Sequence, residues 1–138
     1  MSTRVEEAVK RHDKGYNCCQ AVACALAGEL GYDEQMIFQA GEGFGAGMGG
    51  MQCTCGALSG AVMAAGMKNS KMNGEKLTKG STYLLSKQMT NQFQEKNGSV
   101  ICKDLKGLET GKVLRSCQGC IEDAVRIAEE VLGLESEG

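Results

Sequence analysis

Residues 117–133 read CQGCIEDAVRIAEEVLG. Ile121, Ala124, Val125, Ala128, Val131 and Leu132 recur at steps of three and four residues, the period that lines one face of an α-helix. Ser116 stands before the run as an N-cap, and Gly133 stands after it as a stop. This is the clearest stripe in the chain, and the same grammar repeats upstream of it. Residues 3–14 carry Val5, Ala8, Val9 and His12 on one face. In GYNCCQAVACALAGELG, residues 15–31, Asn17 is a cap and Gln20 completes a capping box. Val22, Ala23, Leu26 and Leu30 form its apolar stripe, and Gly31 ends it.

Asp33 opens a short third helix in DEQMIFQAG, and a fourth is expected from Cys55 to Met67 with Thr54 as cap. Leu58, Ala61, Val62 and Ala65 are its apolar face. A longer fifth helix is expected over 73–96, capped by Asn73, with Leu77, Leu84, Leu85, Met89 and Phe93 turned inward. A short helical turn follows from near Ser99, through ICKDL. No segment keeps the two-residue alternation of a strand. Together these patterns define an all-α fold: a compact bundle of about five to seven helices with a glycine-rich loop, one domain over residues 1–138.

Composition narrows the function classes. Fifteen basic and 17 acidic residues leave a net charge of −2, with no basic stripe for nucleic acid or an anionic membrane. The charged N-terminus lacks the apolar centre of a signal peptide, and no stretch approaches a membrane span. A cytoplasmic protein is expected, where eight cysteines are poor candidates for permanent disulfides. With three Phe, three Tyr and no Trp, the core must be built from Ala, Gly, Leu and Met, which leaves room for a homodimer.

The thiols fall in a pattern. Cys18 follows Asn17, Cys55 follows Thr54, Cys102 lies just after Ser99, and Cys117 follows Ser116. Four segments thus bring four cysteines to expected helix N-termini, where free N–H groups and the positive dipole end favour thiolate. Thiolates at such positions serve disulfide exchange or metal ligation, and four converging ends suit an anionic iron–sulfur cluster. Cys117 and Cys120 form C-x-x-C on nearly one face, the spacing of dithiol motifs and of metal half-sites. Cys53 and Cys55 form C-x-C across a loop–helix junction. Cys18 and Cys19 are adjacent, with Cα atoms about 3.8 Å apart, too close for an unstrained disulfide. Cys24, inside the second helix, reads as packing.

Weaker signals point elsewhere. GAGMGG, residues 45–50, matches G-x-G-x-x-G, but a helix rather than a strand precedes it, so no nucleotide is expected. His12 is the single histidine and reads as a packed or partly exposed side chain rather than a catalytic base. The competing assignments, both without turnover, are a helical interaction module with buried thiols and a structural zinc site from C-x-C and C-x-x-C, although for zinc the separation is long and no histidine accompanies the pairs. Absence of C-x-x-C-H removes covalent haem.

YNCCQAV, GFGAGMGGMQCTCGALSGAVMAAG, ICKDL and CQGCIEDAVRIAEEVL together resemble the C_GCAxxG_C_C family of redox-active proteins, across residues 10–133. Its hallmark stands here as Cys55-Gly56-Ala57-Leu58-Ser59-Gly60. The resemblance implies a four-cysteine site of Cys18, Cys55, Cys102 and Cys117, with Cys120 as the alternative fourth, and some members of the family carry selenocysteine. Gly56 and Gly60, which keep the helix start slim, are the expected cofactor-side positions. The function implied is redox chemistry with an unidentified partner, by thiol–disulfide exchange with Cys55 as attacking thiol, or through an iron–sulfur centre on those four cysteines. Cys19, Cys24, Cys53 and Cys120 are additional to the family pattern.

Overall fold

A computed structural model describes residues 2–71 and 77–134. Its helices are α1 (Thr3–Asp13), α2 (Cys18–Ala27), α3 (Glu34–Gly41), α4 (Gly56–Asn69), α5 (Lys79–Asn97), α6 (Cys102–Lys106) and α7 (Cys117–Leu132). A 3-10 turn, Glu42–Phe44, continues α3. Among the described residues there is no strand, only an isolated antiparallel bridge between Thr54 and Ile101. The fold is all-α, and no described helix is long and apolar enough to cross a membrane.

α4 occupies the middle, in contact with α2, α5 and α7. Its sequence explains the position. Ala57, Ala61, Ala64 and Ala65 are fully buried, and small residues let neighbouring helices approach closely. At Gly60 the approach is closest. A Cβ there would stand 2.7 Å from the Cys19 carbonyl oxygen and 3.0 Å from the Val22 Cβ. Larger side chains from the surrounding elements fill the remaining space: Leu26, Met89, Phe93, Leu105 and Ile121, with Leu58 from α4 itself.

Most helix ends follow the sequence signals. Asn17 Oδ1 accepts the Gln20 N–H at 2.9 Å, and Gln20 Oε1 accepts the Asn17 N–H at 3.0 Å, closing the capping box. Ser116 Oγ accepts the Gly119 N–H, and Gly133 ends α7 in the left-handed conformation. Other ends differ. Asp33 holds the cap position of α3 without a side-chain bond. The cap of α4 is Cys55, one residue past Thr54, because Thr54 is drawn into the bridge with Ile101. α6 starts at Cys102 rather than near Ser99. Ser99 instead accepts the Ile101 N–H and donates to Asp104, bracing the turn ahead of the helix.

α5 departs most from expectation. The helix begins after Thr78, and the expected cap Asn73 lies outside the described residues. Met89 and Phe93 are fully buried, but Leu77 and Leu84 are 82% and 62% exposed. Leu77 precedes the helix, and Leu84 lies nine residues from Phe93 on the opposite face, whereas Leu85, one turn before Met89, packs against the core. α1 differs in the opposite sense. Beside buried Val5 and Ala8 it buries Arg4, whose guanidinium pairs with Glu29 at 2.6 Å and Glu129 at 2.9 Å, tying α1 to α7 and the end of α2.

Candidate functional site

The loop between the 3-10 turn and α4 sets the geometry. Ala46, Gly47, Met48, Gly49, Gly50 and Met51 all have positive φ, an unbroken left-handed run. Backbone bonds fix the loop to the segment entering α6: Cys55 N–H to Val100 C=O at 2.7 Å, Cys102 N–H to Cys53 C=O at 2.9 Å, and Lys103 N–H to Met51 C=O at 3.0 Å. Gly47 lies directly against Cys102, where a Cβ would stand 2.2 Å from the Cys102 Cβ. The starts of α4 and α6 are thereby held side by side.

The starts of α2 and α7 complete the ring. Cys18, Cys55, Cys102, Cys117 and Cys120 all border one cavity of about 200 Å³, closed further by Leu105 and Gly56. Cys18, Cys102 and Cys117 are the first residues of their helices, and Cys55 is the N-cap of α4. The five cysteines named as site candidates therefore border the same cavity. Gly56 borders the cavity, but Gly60 does not; its role is the contact with α2. Cys19, Cys24 and Cys53 are not among the lining residues. Cys19 Sγ lies 3.4 Å from Met63 Sδ, Cys24 Sγ lies 3.7 Å from the Glu34 carbonyl, and Cys53 is partly buried in the loop.

The five thiols are not equivalent. Cys55, Cys102 and Cys120 are 5%, 3% and 1% exposed, whereas Cys18 and Cys117 are only partly buried. Cys55 and Cys120 influence each other's ionisation most strongly, and Cys117 raises Cys18. Cys120 is the main influence holding the Cys55 thiol down, against the cost of burial. Ala57 and Leu58 N–H groups at the α4 terminus and the Lys106 charge add to it, for a pKa of about 7. These N–H groups face the sulfur without forming a regular side-chain cap. Cys55 and burial together push Cys120 far up. Burial raises Cys18 to about 12, helped by Cys117 and Cys55, and raises Cys102.

Two lining residues escaped the sequence reading. Lys106 points its ammonium at the Cys117 sulfur. Burial opposes the Lys106 charge, yet the contacts with Cys117 and Cys18 outweigh it and raise its pKa. The available signal was its place four residues after Cys102, on the same face of α6. His12, read as packed or partly exposed, is partly buried, and its place on the cavity is what the sequence did not reveal. No acidic side chain is among the described lining residues, so Lys106 is the only fixed charge facing the thiols.

Among the described residues, no three or more His, Cys, Asp or Glu side chains are gathered so as to hold one metal ion. A zinc ion needs four ligands on a single centre and does not fit this arrangement. A four-iron cluster takes one cysteine per iron, a wider donor set, and Cys18, Cys55, Cys102 and Cys117 match it in number and type.

The helical scaffold turns five thiols and one ammonium toward a common cavity, and the chain is a cysteine-rich, all-α protein. The family model described as "Putative redox-active protein (C_GCAxxG_C_C)" matches residues 16–131. The chain belongs to that family. No curated protein and no solved structure matches it.

Proposed function

We propose that the protein is a thiol-dependent oxidoreductase of the cytoplasm, with Cys55 as the attacking thiolate and Cys120 as the resolving thiol. The pairing of Cys55 with Cys120 on one cavity supports this best. One sulfur sits at a helix N-terminus with its pKa near neutrality, and its partner borders the same cavity. In the first step the Cys55 thiolate attacks one sulfur of a small disulfide R–S–S–R. The Cys55–S–R bond forms and RS⁻ departs. Cys120 then attacks the Cys55 sulfur, its proton passes to the second departing RS⁻, and the Cys55–Cys120 disulfide closes. Two electrons leave the protein for the substrate. The cavity of about 200 Å³ and the burial of both thiols restrict the substrate to small molecules.

An iron–sulfur centre is the second reading, favoured by four helix-opening cysteines around one cavity. When bound it would supply one-electron transfer, with Cys18, Cys55, Cys102 and Cys117 as ligands. Anaerobic purification separates the two. Colourless protein that releases two electrons per oxidation and yields a Cys55–Cys120 cross-link on peptide mapping is expected. Brown protein with stoichiometric iron and sulfide, and no such cross-link, would replace the first reading by the second.

A further inference from the structure

The pairing of the thiols leaves a second dithiol unused. Cys18 and Cys117 line the same cavity and are its two more exposed cysteines. Cys117 carries the only ammonium bordering the site, that of Lys106, among the described lining residues. It also stands one helical turn before Cys120, on the same face of α7. Cys18 lies beside the α4 start, where a Cβ on Gly56 would meet the Cys18 Cβ at 3.4 Å. The outer pair is therefore in reach of the inner pair from both ends.

We infer that Cys18 and Cys117 form an outer dithiol that regenerates the buried Cys55–Cys120 pair and is itself reduced by a protein dithiol too large to enter the cavity. This rests on the thiol-exchange reading above. A disulfide buried to 5% and 1% exposure cannot meet the sulfur of another protein, yet a turnover cycle needs its two electrons replaced. Cys117, its sulfur met by the Lys106 ammonium, gives up its proton to solvent and attacks the Cys120 sulfur. A Cys117–Cys120 bond forms, the Cys55–Cys120 bond breaks, and the Cys55 thiolate departs onto the α4 N-terminus. Cys18 then gives up its proton and attacks the Cys117 sulfur, releasing Cys120, which takes up a proton. The inner pair is now a dithiol and the outer pair a disulfide. An external protein dithiol reduces the outer disulfide by the same exchange and leaves oxidised. Lys106 is a positioning residue in this scheme, acting through Cys117.

The test uses the whole chain and compares wild type with the double variant Cys18→Ser/Cys117→Ser. Each is oxidised with one equivalent of diamide, mapped, and then reduced by dithiothreitol or by reduced thioredoxin. Wild type is expected to be reduced by both. The double variant should still form the Cys55–Cys120 bridge and react normally with dithiothreitol, but at least about tenfold more slowly with thioredoxin, since access limits exchange. Equal thioredoxin rates would overturn the relay, as would equal slowing with both reductants. Absence of a Cys55–Cys120 bridge in oxidised wild type would instead overturn the thiol-exchange reading beneath it. A measurement on wild type alone removes dependence on the variant's folding. With two equivalents of diamide, a Cys18–Cys117 bridge should appear after the inner one, and no bridge at either outer cysteine would refute the relay.

Discussion

At Cys55 three influences meet: a neighbouring thiol, a helix terminus and a nearby ammonium. Cys120 leads, so its removal has the largest effect. Cys120→Ala should raise the pH at which Cys55 alkylation is half-maximal by about one unit, read by mass-resolved iodoacetamide labelling across pH 5–10. Lowering the pH through the folded value of about 7 should switch the labelling off, since the thiolate is the nucleophile. Were Cys55 to label at the same pH with and without Cys120, the pair would not be the cause. At this scale the sequence was informative about helix starts and silent about contacts. C-x-x-C drew attention to Cys117 and Cys120 together, but their separate partners depend on which of α2 and α4 each one faces. Lys106 was hidden for the same reason: its meaning comes from a sulfur on another element.

Among the helices, α4 and α5 illustrate how far periodicity carries. The small-residue face of α4 was readable, and its consequence is steric. Gly60→Ala should cost about 1–3 kcal/mol in urea unfolding, because a methyl group would press on the α2 backbone. Gly80→Ala meets no atom within 4 Å and should instead stabilise by about 0.4–1 kcal/mol through the unfolded chain. On α5, Phe93→Ala should cost about 3–5 kcal/mol while Leu84→Ser stays within about 0.5 kcal/mol. A large loss at Leu84 would mean that this face is covered in solution. Leu84 and Phe93 stand nine residues apart, on opposite faces of the helix, so the apolar residues of this segment do not share one face. Caps were legible where a side chain bonds its own helix, as at Asn17 and Ser116. They were misplaced where a distant segment competes, as at Thr54 and Ser99.

For the molecule as a whole, buried charges do the joining that aromatic residues do elsewhere. Asp123 is fully buried on α7 and accepts from Arg115 at 3.0 and 3.1 Å and from Lys96 at 3.1 Å. Burial opposes its charge, but the bonds from Arg115 and Lys96 prevail and hold its pKa below the ordinary carboxylate value. Stability from this group is therefore full above the unfolded carboxylate range and is lost as pH falls through the lower folded value. Asp123→Asn should cost about 2–3 kcal/mol at pH 7 and flatten the acid limb of a stability–pH curve measured by urea titration. An unchanged acid limb would place the acid sensitivity elsewhere. Charge counts and helix periods do not identify such a residue, since an Asp on an amphipathic helix is ordinarily on the wet side.

The run from Ala46 to Met51 has a consequence for chirality. Six successive residues occupy the region that L-amino acids disfavour, and the three that are not glycine each give up about 1 kcal/mol there. Size and polarity then matter less at these positions than handedness. Gly49 has φ +67° and open space around it for an L-side chain, yet any L-residue would be strained. A D-alanine introduced there by chemical ligation would carry its methyl group on the mirror-image side and find its own preferred backbone. For these six residues, the mirror-image alphabet is the natural one.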